Sequence, residues 1–144
     1  MGRDISSTLK LDVVLERIAT YAKELLRADT SAVYLIEPNS NELRAIASIG
    51  VDADEIKSDP ILLGAGILGN IATRMAGEIV NDTLADQRAI IIKGTEPIPF
   101  EHIMGVPVLL KNQLTGLLVV WRIGEGLDFK PTELSFLASL AQQA

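Results

Sequence analysis

Ile103-Met-Gly-Val-Pro-Val-Leu-Leu110 and Leu114-Thr-Gly-Leu-Leu-Val-Val-Trp-Arg122, separated by the polar turn Lys111-Asn112-Gln113, decide the fold. Residues 117–121 are apolar at every position rather than at alternate ones, the pattern of a strand hidden on both faces. The short turn makes the pair an antiparallel hairpin. The sheet therefore needs cover above and below, and the rest of the chain must supply two layers.

Candidates for both layers lie on either side. Residues 7–27 read as an amphipathic helix: Leu11, Val14, Leu15, Ile18, Ala22, Leu25 and Leu26 recur every three or four residues, opposite Glu16, Arg17, Lys23, Glu24 and Arg27. Residues 30–37 and 42–50 read as strands around Pro38-Asn39-Ser40-Asn41. In the second, Leu43, Ala45, Ala47 and Ile49 alternate with Glu42, Arg44, Ile46 and Ser48, which predicts one dry face along the whole strand. Pro131 suits the first turn of a closing helix, 131–144. There Leu134, Leu137, Ala138 and Ala141 form one stripe, with Phe136 and Leu140 a second beside it. No capping glycine or proline follows, so the chain is expected to be one domain, 1–144, cut from a longer protein that continues in helical form.

Residues 51–100 are less regular and hold Pro60, Pro97 and Pro99 of the six prolines. Helical spacing occurs at 67–76, a short strand fits 78–80, and the apolar run 89–93 fits helix or strand. An irregular stretch of this length in a compact domain is expected to form binding loops.

Composition removes several functions. The net charge is −6, and the 13 basic residues are scattered, so no nucleic-acid surface is expected. The mean hydropathy is +0.29, yet no apolar run is long enough to span a membrane. The absence of cysteine excludes disulfides, thiolate catalysis and thiolate metal sites, and a single histidine excludes a two-histidine metal site. No carboxylate pair has a spacing that argues for acid–base catalysis. Asp52, Asp54 and Glu55 read as a solvated helix face.

Gly64-Ala-Gly66-Ile-Leu-Gly69 is a literal G-x-G-x-x-G. The dinucleotide fingerprint requires a strand before it and a parallel strand beyond its helix. Here Lys57-Ser58-Asp59-Pro60 precedes it as a turn and the surroundings are antiparallel. A phosphate-binding P-loop fails because no Gly-Lys-Ser/Thr follows.

The same residues resemble the GAF family of sensor domains. The "VPL, turn, iGvl" hairpin of that family matches Val106-Pro107-Val108 and Gly116-Leu117-Leu118. Its glycine segment matches Gly64, Gly66, Gly69, Ile71-Ala72, Gly77, Val80, Asp82 and Asp86-Gln87-Arg88. Leu11-Asp12…Leu15…Ile18 and Phe129…Glu133-Leu134…Leu137-Ala138 fit its two ends. The resemblance implies an α+β, profilin-like and PAS-related fold. An antiparallel sheet of about six strands is expected, with the terminal helices on one face and a loop and helix lid on the other.

It implies a non-catalytic cytoplasmic regulatory domain, of bacterial type. The parent is expected to be a histidine kinase of a two-component system, a diguanylate cyclase, a phosphatase or a transcription activator. The terminal helices would relay a bound small molecule to the parent's output domain. The alternative is a dimerisation module that binds nothing. A homodimer through the terminal helices is expected in either case.

No cofactor is expected. Bilin-binding members use a cysteine, methionine-sulfoxide-reducing members need several, and cyclic-nucleotide binders carry an N-K-F-D-E signature that has no counterpart here. His102 is only three residues before Gly105, nearer the strand than in haem-binding members, and reads as a surface or pocket-rim residue. The glycines and Asp82 and Asp86 read first as turn formers and backbone caps. Trp121 reads first as core. A ligand pocket, where present, is expected to be bounded by Ile71, Val80, Asp82, Arg88, Phe100, Met104 and Trp121, with Ser48 on its floor and Arg88 suited to an acidic ligand.

Overall fold

The computed structural model describes residues 2–90 and 94–142, with side-chain surroundings from residue 10 onward. Six antiparallel strands form one sheet in the order β3-β2-β1-β6-β5-β4. They are β1 (Thr30–Ile36), β2 (Glu42–Gly50), β3 (Ile61–Leu62), β4 (Glu78–Val80), β5 (Glu101–Leu110) and β6 (Gln113–Ile123). The hairpin that decided the reading is the centre: β6 lies between β1 and β5. Leu117, Val119 and Trp121 face one layer, Leu118 and Val120 the other, and all five are buried.

The first layer is helical. Helices α1 (Gly2–Leu25) and α4 (Pro131–Ala141) pack Leu15, Ile18, Ala19, Ala22, Leu137 and Ala141 onto Val33, Val106, Leu118 and Val120. Helix α1 ends two residues before the expected Arg27, which lies in the left-handed region at φ 50°. The N–H of Ala28 donates to Lys23 O at 2.8 Å and that of Arg27 to Glu24 O at 3.3 Å, a Schellman-type close. Arginine stands where glycine usually does, which hides this end from the sequence. Apolar residues of the expected stripe divide: Leu15, Ile18, Ala22 and Leu26 are buried, whereas Leu11, Val14 and Leu25 are exposed. On α4, Phe136 is exposed and Leu140 packs against the helical layer's core.

The second layer is the lid, made of the short helices α2 (Ala53–Ser58) and α3 (Gly66–Arg74) with a 3-10 turn at Thr83–Ala85. Ile56, Ile67, Leu68, Ile71 and Ala72 pack here against Tyr34, Leu43, Leu117 and Val119. Gly69 explains why α3 lies so close to β3: a Cβ there would stand 2.3 Å from Leu62 O.

Strand β2 departs from its expected single dry face. A bulge against β1 pairs Val33 with Ala47 but Tyr34 with Ala45, leaving Ile46 as the extra residue. Leu43 and Ala45 therefore face the lid, whereas Ala47 and Ile49 join the helical layer. The sequence alternation runs unbroken through a point where the backbone changes sides.

Candidate functional site

Between sheet and lid is a cavity of about 310 Å³. That is at the small end of the ~300–1,000 Å³ typical of ligand sites. Thr30 and Tyr34 of β1, Ile103 of β5 and Trp121 of β6 form its floor, Ile56 of α2 and Ile67 of α3 its roof. The first turn of α3, Gly66 to Leu68, opens on it, and this helix has no side-chain cap. Leu62, Leu84 and Ile90 line it while remaining exposed, giving an apolar mouth.

Its charged groups are acidic among the described residues. Asp52, Asp59, Glu96 and Glu101 line it, and no lysine or arginine does among the described residues. Glu101 accepts a hydrogen bond from Thr83 Oγ1 at 2.8 Å. Burial pushes its carboxyl above the usual glutamate range and the charge of Asp52 adds to that, against the Thr83 bond and His102, which lower it. Tyr34 is 1% exposed. Burial, reinforced by the Asp59 carboxylate, raises its pKa strongly.

Of the eight residues expected to bound a pocket, Trp121 alone lines this one. Ile71 of α3, with no exposure, and Val80 of β4 belong to the lid-side core, where their side chains are taken up in packing. Ser48, the register partner of Ala32, is on the lid face but away from the cavity; its buried Oγ has no partner. Met104 is on the wrong face: strand alternation puts it with Val106 in the helical core, and its neighbour Ile103 takes the cavity position. Phe100 is 53% exposed at φ 58°.

Arg88 and Asp82 are occupied elsewhere. The Arg88 guanidinium donates to Glu78 Oε2 at 2.5 Å, Asp86 Oδ2 at 2.9 Å and Asn70 Oδ1 at 2.7 Å, tying α3 to β4. It holds the Glu78 and Asp86 carboxyls below their usual range and faces none of the cavity. Asp82 Oδ1 accepts from the Ala85 N–H at 3.4 Å, and Asp86 Oδ1 from the Arg88 N–H at 2.8 Å, so both cap local backbone.

His102 is buried rather than at a rim. Its Nδ1 lies 3.1 Å from Asn81 Oδ1 and its Nε2 2.8 Å from Gly124 O. Asn81 also grips the backbone of Phe129, so the histidine braces the loop leading to α4. Asp52 is a correction too: it precedes α2 at φ 58° and lines the cavity instead of standing on a solvated helix face. The lining residues Tyr34, Ile67, Glu101 and Ile103 escaped the sequence reading. A signal existed for Glu101 and Ile103, which share the strand parity of Trp121's face only once the register of β5 on β6 is known.

On the opposite face, Arg122 is buried. It lies over the Phe129 ring, 4.1 Å from its centroid, and donates to Leu26 O and to Glu133 Oε2 at 2.9 Å. Burial raises the Glu133 carboxyl, but the bonds from Arg122 and the Lys130 N–H outweigh it and hold the group low.

Comparison with known proteins agrees with this architecture. The Nif-specific regulatory protein of Herbaspirillum seropedicae is 24% identical over 99% of this chain, which spans 28% of that protein's length. The GAF domain of a phosphoenolpyruvate-protein phosphotransferase from Coxiella burnetii superposes with a TM-score of 0.81 at 20% identity, covering 98% of this chain and 86% of that one. A free methionine-R-sulfoxide reductase from Neisseria meningitidis, solved with its substrate, gives 0.74 at 20% identity, over 91% and 73%. The GAF domain family model matches residues 10–144, and with the strand order and the two covering layers it makes this chain a member of the GAF family.

Proposed function

We propose that this GAF domain is the non-catalytic sensory or regulatory part of a larger cytoplasmic signalling protein, and that it binds a small molecule in the cavity between sheet and lid. The cavity is the observation that carries this reading: it is largely apolar, roofed by a separate lid, and floored by Tyr34 and Trp121. The regulatory character of the Herbaspirillum relative supports the regulatory role. Two of its solved structural neighbours are methionine-sulfoxide reductases, but this chain has no cysteine, which members reducing methionine sulfoxide require.

The relay would run through β6. Occupancy moves Trp121, and the next residue, Arg122, holds the C-terminal end of α1 and the start of α4. Two-dimensional amide spectra of the 144-residue chain with small-molecule libraries test the reading. Shifts at Ile67, Ile103 and Trp121 accompanied by shifts in α4 are expected; a library that leaves all of them still would argue against it.

A second reading rests on a different observation. Leu11, Val14 and Leu25 on α1 and Phe136 on α4 are exposed apolar residues of the helical layer. They suit a homodimer interface, which a sensor or a ligand-free dimerisation module could each use.

A further inference from the structure

The cavity's charge identifies a class of ligand. Resting on the sensor reading above, we propose that the cavity is built for a small organic cation: an apolar body with an ammonium or guanidinium group held between Asp52 and Glu101 against Trp121. This reverses the acidic ligand that Arg88 suggested in the sequence.

Two features converge. First, Asp52 and Glu101 line the cavity, near enough for the Asp52 charge to act on Glu101, and no basic side chain lines it among the described residues. Arg88, the cation nearest in sequence to the lid turn, is held by Glu78 and Asp86. Secondly, Tyr34 and Trp121 supply aromatic walls, whose ring quadrupoles attract cations, and Ile56, Ile67 and Ile103 supply apolar surface for the body.

The competing attraction is the uncapped first turn of α3, which favours an anion. A helix terminus is worth roughly half an elementary charge, whereas each ionised carboxylate carries a full one. The Asp52 carboxylate alone outweighs the helix, and Glu101 adds to it when ionised. Burial, with Asp52 adding to it, raises the Glu101 carboxyl above the usual glutamate range, and a neighbouring cation opposes that shift.

Three probes that share a phenethyl body test this at pH 8 and low salt: phenethylamine as cation, 3-phenylpropanamide as neutral body and 3-phenylpropionate as anion. Trp121 is the sole tryptophan and reports by fluorescence. Phenethylamine is expected to bind at least ten-fold tighter than 3-phenylpropionate, and Glu101→Gln, which keeps an acceptor for Thr83, to remove most of that advantage. Asp52→Asn is the second variant, checked by circular dichroism, and is expected to weaken the amine alone. Binding of the acid or the amide as tight as the amine overturns the charge assignment and leaves the ligand-binding reading standing. Silence of Trp121 toward all three overturns both.

Discussion

Trp121 and Arg122 are consecutive in β6 and face opposite layers of the domain. The indole walls the cavity, while the guanidinium lies 4.1 Å from the Phe129 ring centroid and donates to Leu26 O and Glu133 Oε2. Asp29 adds to the joint: its N–H donates to Trp121 O at 2.8 Å and its Oδ2 accepts from the Ile123 N–H at 2.7 Å. One short segment of strand therefore touches the candidate ligand site, the end of the first helix and the start of the last. A displacement of Trp121 has a path to both helices through covalently linked backbone.

Arg122→Met removes the charged part of that joint and leaves Glu133, Leu26 O and the loop carbonyls of Leu127 and Asp128 without their donor. Breaking one side of a buried pair costs ~3–5 kcal/mol. Glu133 is a quarter exposed, so the lower end, about 3 kcal/mol, is expected from urea unfolding. A loss below ~1 kcal/mol would mean that the joint is not structural.

Gly69→Ala pits helix propensity against space. Alanine gains ~1 kcal/mol over glycine in a helix interior. The new Cβ would stand 2.3 Å from the backbone oxygen of Leu62, which cannot rotate away. Overpacking of ~1–3 kcal/mol or more should win, lowering the melting temperature and loosening α3 from β3. A more stable variant would show that the lid yields freely.

Glu101 gives a pH signature. Its folded carboxyl titrates above the ordinary value of 4.5, chiefly because of burial, so the folded state binds its proton more tightly than the unfolded chain does. Stability from this group is full at lower pH and is lost as pH rises through its folded titration. Relative to Glu101→Gln, the wild type should therefore become progressively less stable from about pH 4.5 upward, measured by denaturant midpoints. Parallel curves would place Glu101 in a solvated setting.

Dimerisation through the helical layer is tested by Val14→Glu and Phe136→Glu, both at exposed positions where the monomer's core is untouched. Sedimentation at tens of micromolar should show a dimer for the wild type and a monomer for the double variant, with similar melting. A monomeric wild type contradicts the interface.

The sheet was legible because its central strand is apolar at every residue, and the glycine segment was legible because Gly69 has a steric reason that only glycine meets. The cavity wall was less so. Strand parity assigns a face only when register and bulges are known. Met104 and Ile103 were exchanged for want of the β5–β6 register, and Ala47 was placed with Leu43 because a bulge leaves no mark on the alternation. Arg88 followed the family pattern into the right segment, but its partners Glu78 and Asn70 are 10 and 18 residues away, and no local spacing reveals that they take up its charge.

The most direct test of the central claim is a titration of the 144-residue chain with the amine, amide and acid probes, read together at the Trp121 indole and at the α4 amides. Ala65→Trp, which fills the cavity from the residue that precedes α3, serves as the control. The account predicts saturable shifts at Trp121 and in α4 with one common affinity, both abolished in Ala65→Trp while the fold persists. Shifts that survive in Ala65→Trp, or no saturable shift with any probe, would contradict it.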